Sequence, residues 1–230
     1  MAREAIILAG GLGTRLKPLV KDIPKPMALI NGKPFLEILI KHLIKNNFKK
    51  IILSIGYKSE YIIDYFSKED FGIEIIFSKE EDLLGTGGAI KLGISHTTKD
   101  CVFVFNGDTF ADISYDLVES TFNRINKSIL CGIFVKNVSR YGSISFEDNV
   151  LLGFEEKGSN KSGIINAGVY YLKTNQLDNY TEGSSFSFEQ DFLAIKKNFG
   201  KIGVCNFRGI FIDIGIPEDY IISQSLLKKF

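Results

Sequence analysis

Residues Ala5–Pro26 read AIILAGGLGTRLKPLVKDIPKP. The oily run Ala5–Ala9 carries no polar side chain, as expected of a strand covered on both faces. It ends in Gly10, Gly11 and Gly13, followed by Thr14 and Arg15, and ten residues after Arg15 comes Lys25 between Pro24 and Pro26. In an open α/β sheet, ligands gather beyond the carboxyl ends of the strands, so this loop is where a ligand is expected. Glycines let the backbone come close and free its N–H groups to point at an anion. Arg15 offers a planar fork of donors, and Lys25 is a point charge whose flanking rings restrict the loop. The combination suggests a polyphosphate. Two common glycine-loop readings fail. Asn31–Pro34 (NGKP) lacks the Gly-Lys-Ser/Thr of a Walker loop, and Leu16 stands where a dinucleotide fingerprint needs its third glycine. A structural loop with incidental charges is the alternative on residue types alone.

Outward from this stretch the first half alternates. Helical spacing marks Pro34–Asn46 and Ser59–Phe66, and Gly87–Ser95 reads as a helix. Ile51–Ile55, Ile73–Phe77 and Cys101–Phe105 read as strands. Alternation of oily strands with helices predicts a Rossmann-like, mixed, mostly parallel sheet with helices on both faces. In the second half, strands are expected at Ile129–Val135, Ile164–Leu172, Ile202–Phe207 and Ile210–Ile214. Ser143–Phe146 and Val150–Phe154 form a hairpin across Glu147-Asp148-Asn149. A helix is expected over Phe186–Phe199, opened by Ser187 with Gln190 as a capping box, and another from Pro217 to Lys228-Lys229. The organisation expected is one domain, 1–230, divided into halves 1–128 and 129–230, the second including a small insertion.

Composition bounds the partners. The chain has 230 residues, 45% hydrophobic and 24% charged, with a net charge of +1. That balance does not suit a nucleic-acid binder built on bulk electrostatics. Cys101, Cys131 and Cys205 are odd in number and scattered through apolar runs, as buried reduced thiols are. With two histidines and no CxxC, a zinc site is not indicated. No window approaches the ~18 apolar residues of a membrane span, and the first oily run is too short for a signal-peptide core. The cytoplasm is the expected compartment. Tyr57 and Tyr61 fit either a homo-oligomer interface or the core.

LAGGLGTRLKPL, with PKP following, resembles the signature of the sugar-1-phosphate nucleotidyltransferases. NGD (Asn106–Asp108), FEEKG (Phe154–Gly158), INAGVYYL (Ile165–Leu172) and FIDIGIPEDY (Phe211–Tyr220) resemble further elements of that family, in its order. The resemblance spans nearly the whole chain. It implies the nucleotide-diphospho-sugar transferase fold and an enzyme that joins a nucleoside triphosphate to a sugar 1-phosphate, releasing pyrophosphate. It implies that Leu8, Ala9, Gly10, Gly11, Gly13 and Thr14 cradle the nucleotide with Asn106 and Gly107. Arg15 and Lys25 become the catalytic cations, Arg15 on the leaving pyrophosphate and Lys25 by the α-phosphate. Asp108 and Asp213 hold Mg²⁺, the implied cofactor, a role favoured by the cost of burying a carboxylate between Ile212 and Ile214. Gly142, Glu156, Lys157, Asn166, Gly168 and Glu189 line the sugar-phosphate site. Gly158 departs from the family's proline, which weakens the case for Lys157. On residue types alone, Asp108 and Asp213 also suit turns, Lys157 a solvated hairpin, Gly168 a bulge and Glu189 an exposed helix.

Glu80–Ile90 (EEDLLGTGGAI), with Gly85, Thr86 and Gly87, falls where the family reads the base, and its LGTGGA resembles the guanylyltransferase version. Carbonyls and hydroxyls such as that of Thr86 can accept from guanine's donor edge. A glycine-rich helix start is the structural alternative. RYGSISF, GIINAGVYYL, FSFEQDF and FIDIGIPEDY together most resemble short bacterial D-glycero-α-D-manno-heptose 1-phosphate guanylyltransferases, which make GDP-heptose for cell-surface glycans such as capsule or lipopolysaccharide. The implied partners are GTP and that sugar phosphate. Mannose 1-phosphate with GTP, and N-acetylmuramate 1-phosphate with UTP, stay open as rivals. So does a catalytically silent nucleotide-sugar sensor, although such a protein is expected to have lost a cation or an aspartate retained here.

Overall fold

The computed structural model describes residues 2–11, 23–141, 143–155 and 161–230, with the side chain of Glu155 left aside. Nine of the described strands form one sheet. In chain order they are β1 (Arg3–Leu8), β4 (Phe48–Ile55), β5 (Glu74–Lys79), β6 (Cys101–Asn106), β8 (Ile129–Val135), β9 (Ser143–Glu147), β10 (Val150–Glu155), β11 (Gly163–Lys173) and β12 (Gly203–Phe207). The spatial order is β5-β4-β1-β6-β11-β8-β12-β10-β9. Only β11 and β10 run against the other seven. The sheet is therefore mixed and mostly parallel, as the alternation predicts. Two small ribbons sit apart from it: β2 (Leu29–Ile30) with β3 (Lys33–Pro34), and β7 (Thr109–Ala111) with β13 (Phe211–Asp213).

Period-two alternation feeds two cores. Ala5, Ile7, Ile51, Leu53, Phe103 and Phe105 face one side, while Ile6, Ile52, Val102 and Val104 face the other. The first side is covered by α1 (Phe35–Lys45), α2 (Ser59–Phe66) and α4 (Tyr115–Ile125) through Phe35, Leu39, Leu43, Ile62, Phe66 and Val118. The second is covered by α3 (Gly85–Ile94) through Ile90, together with Phe186, Phe188 and Phe192. The last helix, α5 (Pro217–Leu226), is tied to the first ribbon, where Gln224 Nε2 donates to the Leu29 carbonyl at 3.1 Å.

Several elements differ from the sequence reading. The last helix ends at Leu226, short of the expected Lys228-Lys229. The helix expected over Phe186–Phe199 is a single π-helical stretch, Phe188–Leu193, followed by a 3-10 turn at Lys196–Asn198. Phe186 stays outside it because its N–H donates to the Leu84 carbonyl, its carbonyl accepts from Gly87 N–H, and its ring stacks on Tyr180 with centroids 3.9 Å apart. Ser187 does cap Gln190 N–H at 3.1 Å, but the Ser187 N–H goes to the Asp191 carboxylate rather than to Gln190. Ile210–Ile214 contributes only Phe211–Asp213, and to the ribbon with β7 instead of the main sheet. Helix α4 was not read from the sequence, although Ser114 caps it and Tyr115, Val118, Phe122 and Ile125 repeat at helical spacing.

Candidate active site

A cleft of about 330 Å³ opens beyond the carboxyl ends of β1 and β6. Its floor is Leu8, Ala9, Gly10 and Gly11. One wall is Glu80, Leu83, Gly85, Thr86 and Ala89, and the far end is Lys25, Pro26, Asn106, Asp108 and Gly215. Nine of the residues named from the sequence thus gather where the strand order places a ligand. Gly13, Thr14, Arg15, Gly142, Glu156 and Lys157 lie outside the described residues.

Lys25 opens a 3-10 turn, Lys25–Met27, behind Pro24 at φ −65°, with Met27 N–H donating to the Pro24 carbonyl at 2.8 Å. The turn aims the lysine between two carboxylates. Its Nζ donates to Asp108 Oδ2 and lies 3.6 Å from Asp213 Oδ1. Asp108 sits in the turn between β6 and β7, and Asp213 ends β13, directly opposite Thr109 in register. The ribbon is what brings together two aspartates about a hundred residues apart. Asp213 is not buried as expected: its side chain is 25% exposed, and its Oδ1 accepts from Gly215 N–H at 2.7 Å. Asp108, which lines the cleft, and Asp213, gathered beside it around Lys25, are a fitting donor set for a hard divalent cation, which takes the rest of its ligands from substrate phosphates and water. Among the described residues, no group of three or more His, Cys, Asp or Glu forms a fuller cage.

The glycines of LGTGGA serve packing. Gly85 has φ +67°, and a Cβ at Gly87 would stand 2.1 Å from the Phe186 ring. They let residues 184–188 press onto the start of α3. Gly87 thus faces Phe186 rather than the cleft, while Gly85 and Thr86 line it. The Thr86 hydroxyl accepts from Phe188 N–H at 2.8 Å and donates to Glu189 Oε2 at 2.6 Å. Glu189 is half-buried, not on an exposed helix face. Gly107 N–H donates to the Leu8 carbonyl at 2.9 Å, locking the tips of β1 and β6 together.

Asn166 and Gly168 sit on β11, where its pairing with β8 is interrupted. Gly168 adopts φ +65°, and a Cβ there would stand 2.7 Å from Asn106 Nδ2. This close approach holds β11 against the Asn106 side chain of the cleft. Asn106 Oδ1 is buried and has no protein partner, an acceptor left for a ligand or water.

Glu80 was missed as an individual residue, although its stretch was singled out. Its carboxylate receives Leu84 N–H at 3.0 Å and the Ser54 hydroxyl at 3.4 Å. Burial pushes its pKa up, and those two donors only partly oppose the shift. The signal available was its place five residues before Gly85, at the carboxyl end of β5.

Fold and site define an enzyme that works on nucleotides and phosphorylated sugars, and the chain belongs to the nucleotidyl transferase family, whose profile matches residues 4–229. It is 43% identical over 222 residues, 94% of this chain and 96% of the relative, to D-glycero-α-D-manno-heptose 1-phosphate guanylyltransferase of Campylobacter jejuni. It is 40% identical to the protein of the same name from Aneurinibacillus thermoaerophilus, with 99% of each chain covered. Among solved structures it is similar to HddC from Yersinia pseudotuberculosis, also solved complexed with GMP-PN. The TM-score is 0.88 at 40% identity, covering 98% of this chain and 100% of that one. The family-level reading of the sequence is borne out. No described helix is long and apolar enough to cross a membrane.

Proposed function

We propose that this chain transfers GMP from GTP to D-glycero-α-D-manno-heptose 1-phosphate, giving GDP-heptose and pyrophosphate. The observation that carries the reading is the cleft itself, with an acidic base-side wall at Glu80 and a lysine–aspartate cluster at its far end, in a chain 40–43% identical to guanylyltransferases over nearly full length. The reaction forms a bond from a sugar phosphate oxygen to the α-phosphorus and breaks the α–β bridge on the opposite side. The attacking group is already an anion, so positioning and charge neutralisation suffice and no general base is needed. Among the described residues lining the cleft there is no histidine.

The residues divide the work. Gly10 and Gly11 bring backbone against the triphosphate, and Arg15 neutralises the departing pyrophosphate. Lys25 stabilises charge on the α-phosphoryl oxygens as the trigonal bipyramid forms. Glu80 accepts the two adjacent N–H donors of guanine, an edge that uracil and thymine lack. Asn166, Gly168 and Glu189, with Gly142, Glu156 and Lys157, serve the sugar phosphate. Asp108 and Asp213 hold Mg²⁺, which when bound neutralises phosphate charge. Residues 1–128 are mainly the nucleotide half and 129–230 mainly the sugar half. Scattered cysteines in apolar runs and a nucleotide substrate support a cytoplasmic location.

The test is pyrophosphate release with Mg²⁺ and GTP, comparing the heptose 1-phosphate with α-mannose 1-phosphate. Faster turnover of the heptose is the expected result. Silence with GTP on both sugars, and turnover with UTP, would overturn the choice of base.

A further inference from the structure

Asn166 and Tyr170 are four residues apart on one strand, which in a regular strand separates their Cα atoms by about 13 Å. Yet Asn166 Nδ2 lies 2.8 Å from Tyr170 Oη. At the left-handed Gly168 the strand bulges, four residues of β11 advancing against two of β8, which draws the two residues close enough to meet. The same turn lets Asn166 Oδ1 accept from Gly168 N–H at 2.9 Å. Tyr170 Oη lies 3.3 Å from Glu189 Oε1, and Glu189 Oε2 takes the Thr86 hydroxyl.

The direction of every hydrogen bond in this chain follows from chemistry. An ionised carboxylate only accepts, so Tyr170 and Thr86 both donate to Glu189. Burial pushes the Tyr170 phenol well above its ordinary pKa, so its proton is in place. Tyr170 Oη must then accept from the Asn166 amide nitrogen. With its oxygen held by Gly168 N–H, the Asn166 amide has one allowed orientation. One N–H is used on Tyr170 and the other is left to meet a ligand.

We infer that Tyr170 is a positioning residue. Its hydroxyl fixes which face of the Asn166 amide is offered to the sugar phosphate and, through Glu189, ties that amide to Thr86 on the cleft wall. This rests on the reading above that Asn166 serves the sugar phosphate. Tyr170 is itself fully buried, so it acts through Asn166 and not by touching substrate. Without the hydroxyl, the amide keeps only its bond from Gly168 N–H, and the fraction of time its oxygen turns towards an anion, which repels it, rises.

Two measurements on Tyr170→Phe test this. In the ligand-free protein, the side-chain NH₂ pair of Asn166 is identified in an ¹⁵N–¹H spectrum by its loss in Asn166→Asp. In the wild type its two protons are expected to be widely separated and slow to exchange, and in Tyr170→Phe they move towards the exposed-amide positions. In steady state, loss of one such bond is expected to raise KM for the sugar 1-phosphate about tenfold, with KM for GTP within about twofold and kcat within about threefold. An unchanged Asn166 pair in Tyr170→Phe, or equal rises in both KM values, overturns the inference. A wild type that turns over no sugar 1-phosphate overturns the proposed function instead, and the spectrum still decides the role of Tyr170.

Discussion

Lys25→Met removes the one cation seen between Asp108 and Asp213 among the described residues and leaves the methylene stem in place. The lysine Nζ is bonded to Asp108 and lies 3.6 Å from Asp213, with its side chain 9% exposed. At 3.6 Å and an effective dielectric of about 20, the attraction to Asp213 is about 4–5 kcal/mol gross, and that to the nearer Asp108 is larger. Desolvation and the partial exposure of both aspartates cancel most of it. A net loss of roughly 1–2 kcal/mol remains, below the 3–5 of a fully buried pair. For a chain of this size that lowers Tm by about 2–8 °C. Millimolar Mg²⁺ restores much of the loss, because a cation returns to the carboxylate pair. Turnover does not return: losing a donor aimed at developing charge costs about 10²–10³ in kcat. Thermal melts with EDTA and with Mg²⁺, alongside pyrophosphate release, read both effects. A Lys25→Met enzyme that melts within about 1 °C of the wild type in EDTA and keeps a tenth or more of kcat refutes the reasoning.

Glu80→Gln is expected to weaken GTP relative to UTP in competition assays while raising stability. Because the folded pKa of Glu80 is raised, the folded state holds a proton that the unfolded state releases, and stability falls as pH rises through that interval. Gln removes this loss, so the variant melts higher than the wild type at pH 7, and the difference shrinks under acid conditions where Glu80 is protonated in both states. Gly168→Ala puts a Cβ in the left-handed region and 2.7 Å from Asn106 Nδ2. A loss of about 1–2 kcal/mol in guanidinium unfolding, together with weaker sugar-phosphate binding, is expected. Burial raises all three thiols, but Cys101 is half-buried where Cys131 and Cys205 are buried, so a thiol reagent is expected to label Cys101 first and to reach the other two only on unfolding, read by peptide mapping after timed labelling.

Much of this was legible in the chain because local pattern and tertiary demand agree. Ser59–Phe66 and Ile129–Val135 occupy the boundaries read from spacing alone, since each fills one apolar face or one buried strand. The cleft floor was legible because a strand followed by glycines has one place to go in an α/β sheet. Phe186–Phe199 misled for the opposite reason. Its helical spacing is real, but backbone bonds to Leu84 and Gly87 hold Phe186 extended, and spacing does not register such long-range partners. The pairing of β7 with β13, which sets Asp108 beside Asp213, was equally invisible, because three-residue strands carry no periodicity. The Asn166–Tyr170 contact needs the left-handed bulge at Gly168, which a bulge reading anticipates without giving the contact it makes.

The position of β11 bears on how the chain is made. The strand fills the gap between β6 and β8, yet it is synthesised well after β6. Roughly sixty residues separate the end of β6 from the start of β11, so at 5–20 residues per second the CVFVFN edge waits several seconds for its neighbour. That segment is uncharged, β-branched or aromatic at most positions, and free of proline, the composition of an edge that pairs with other chains when left open. Translation speed between Asn106 and Gly163, and whatever shields a nascent strand over that interval, therefore set the yield of soluble enzyme independently of its final stability.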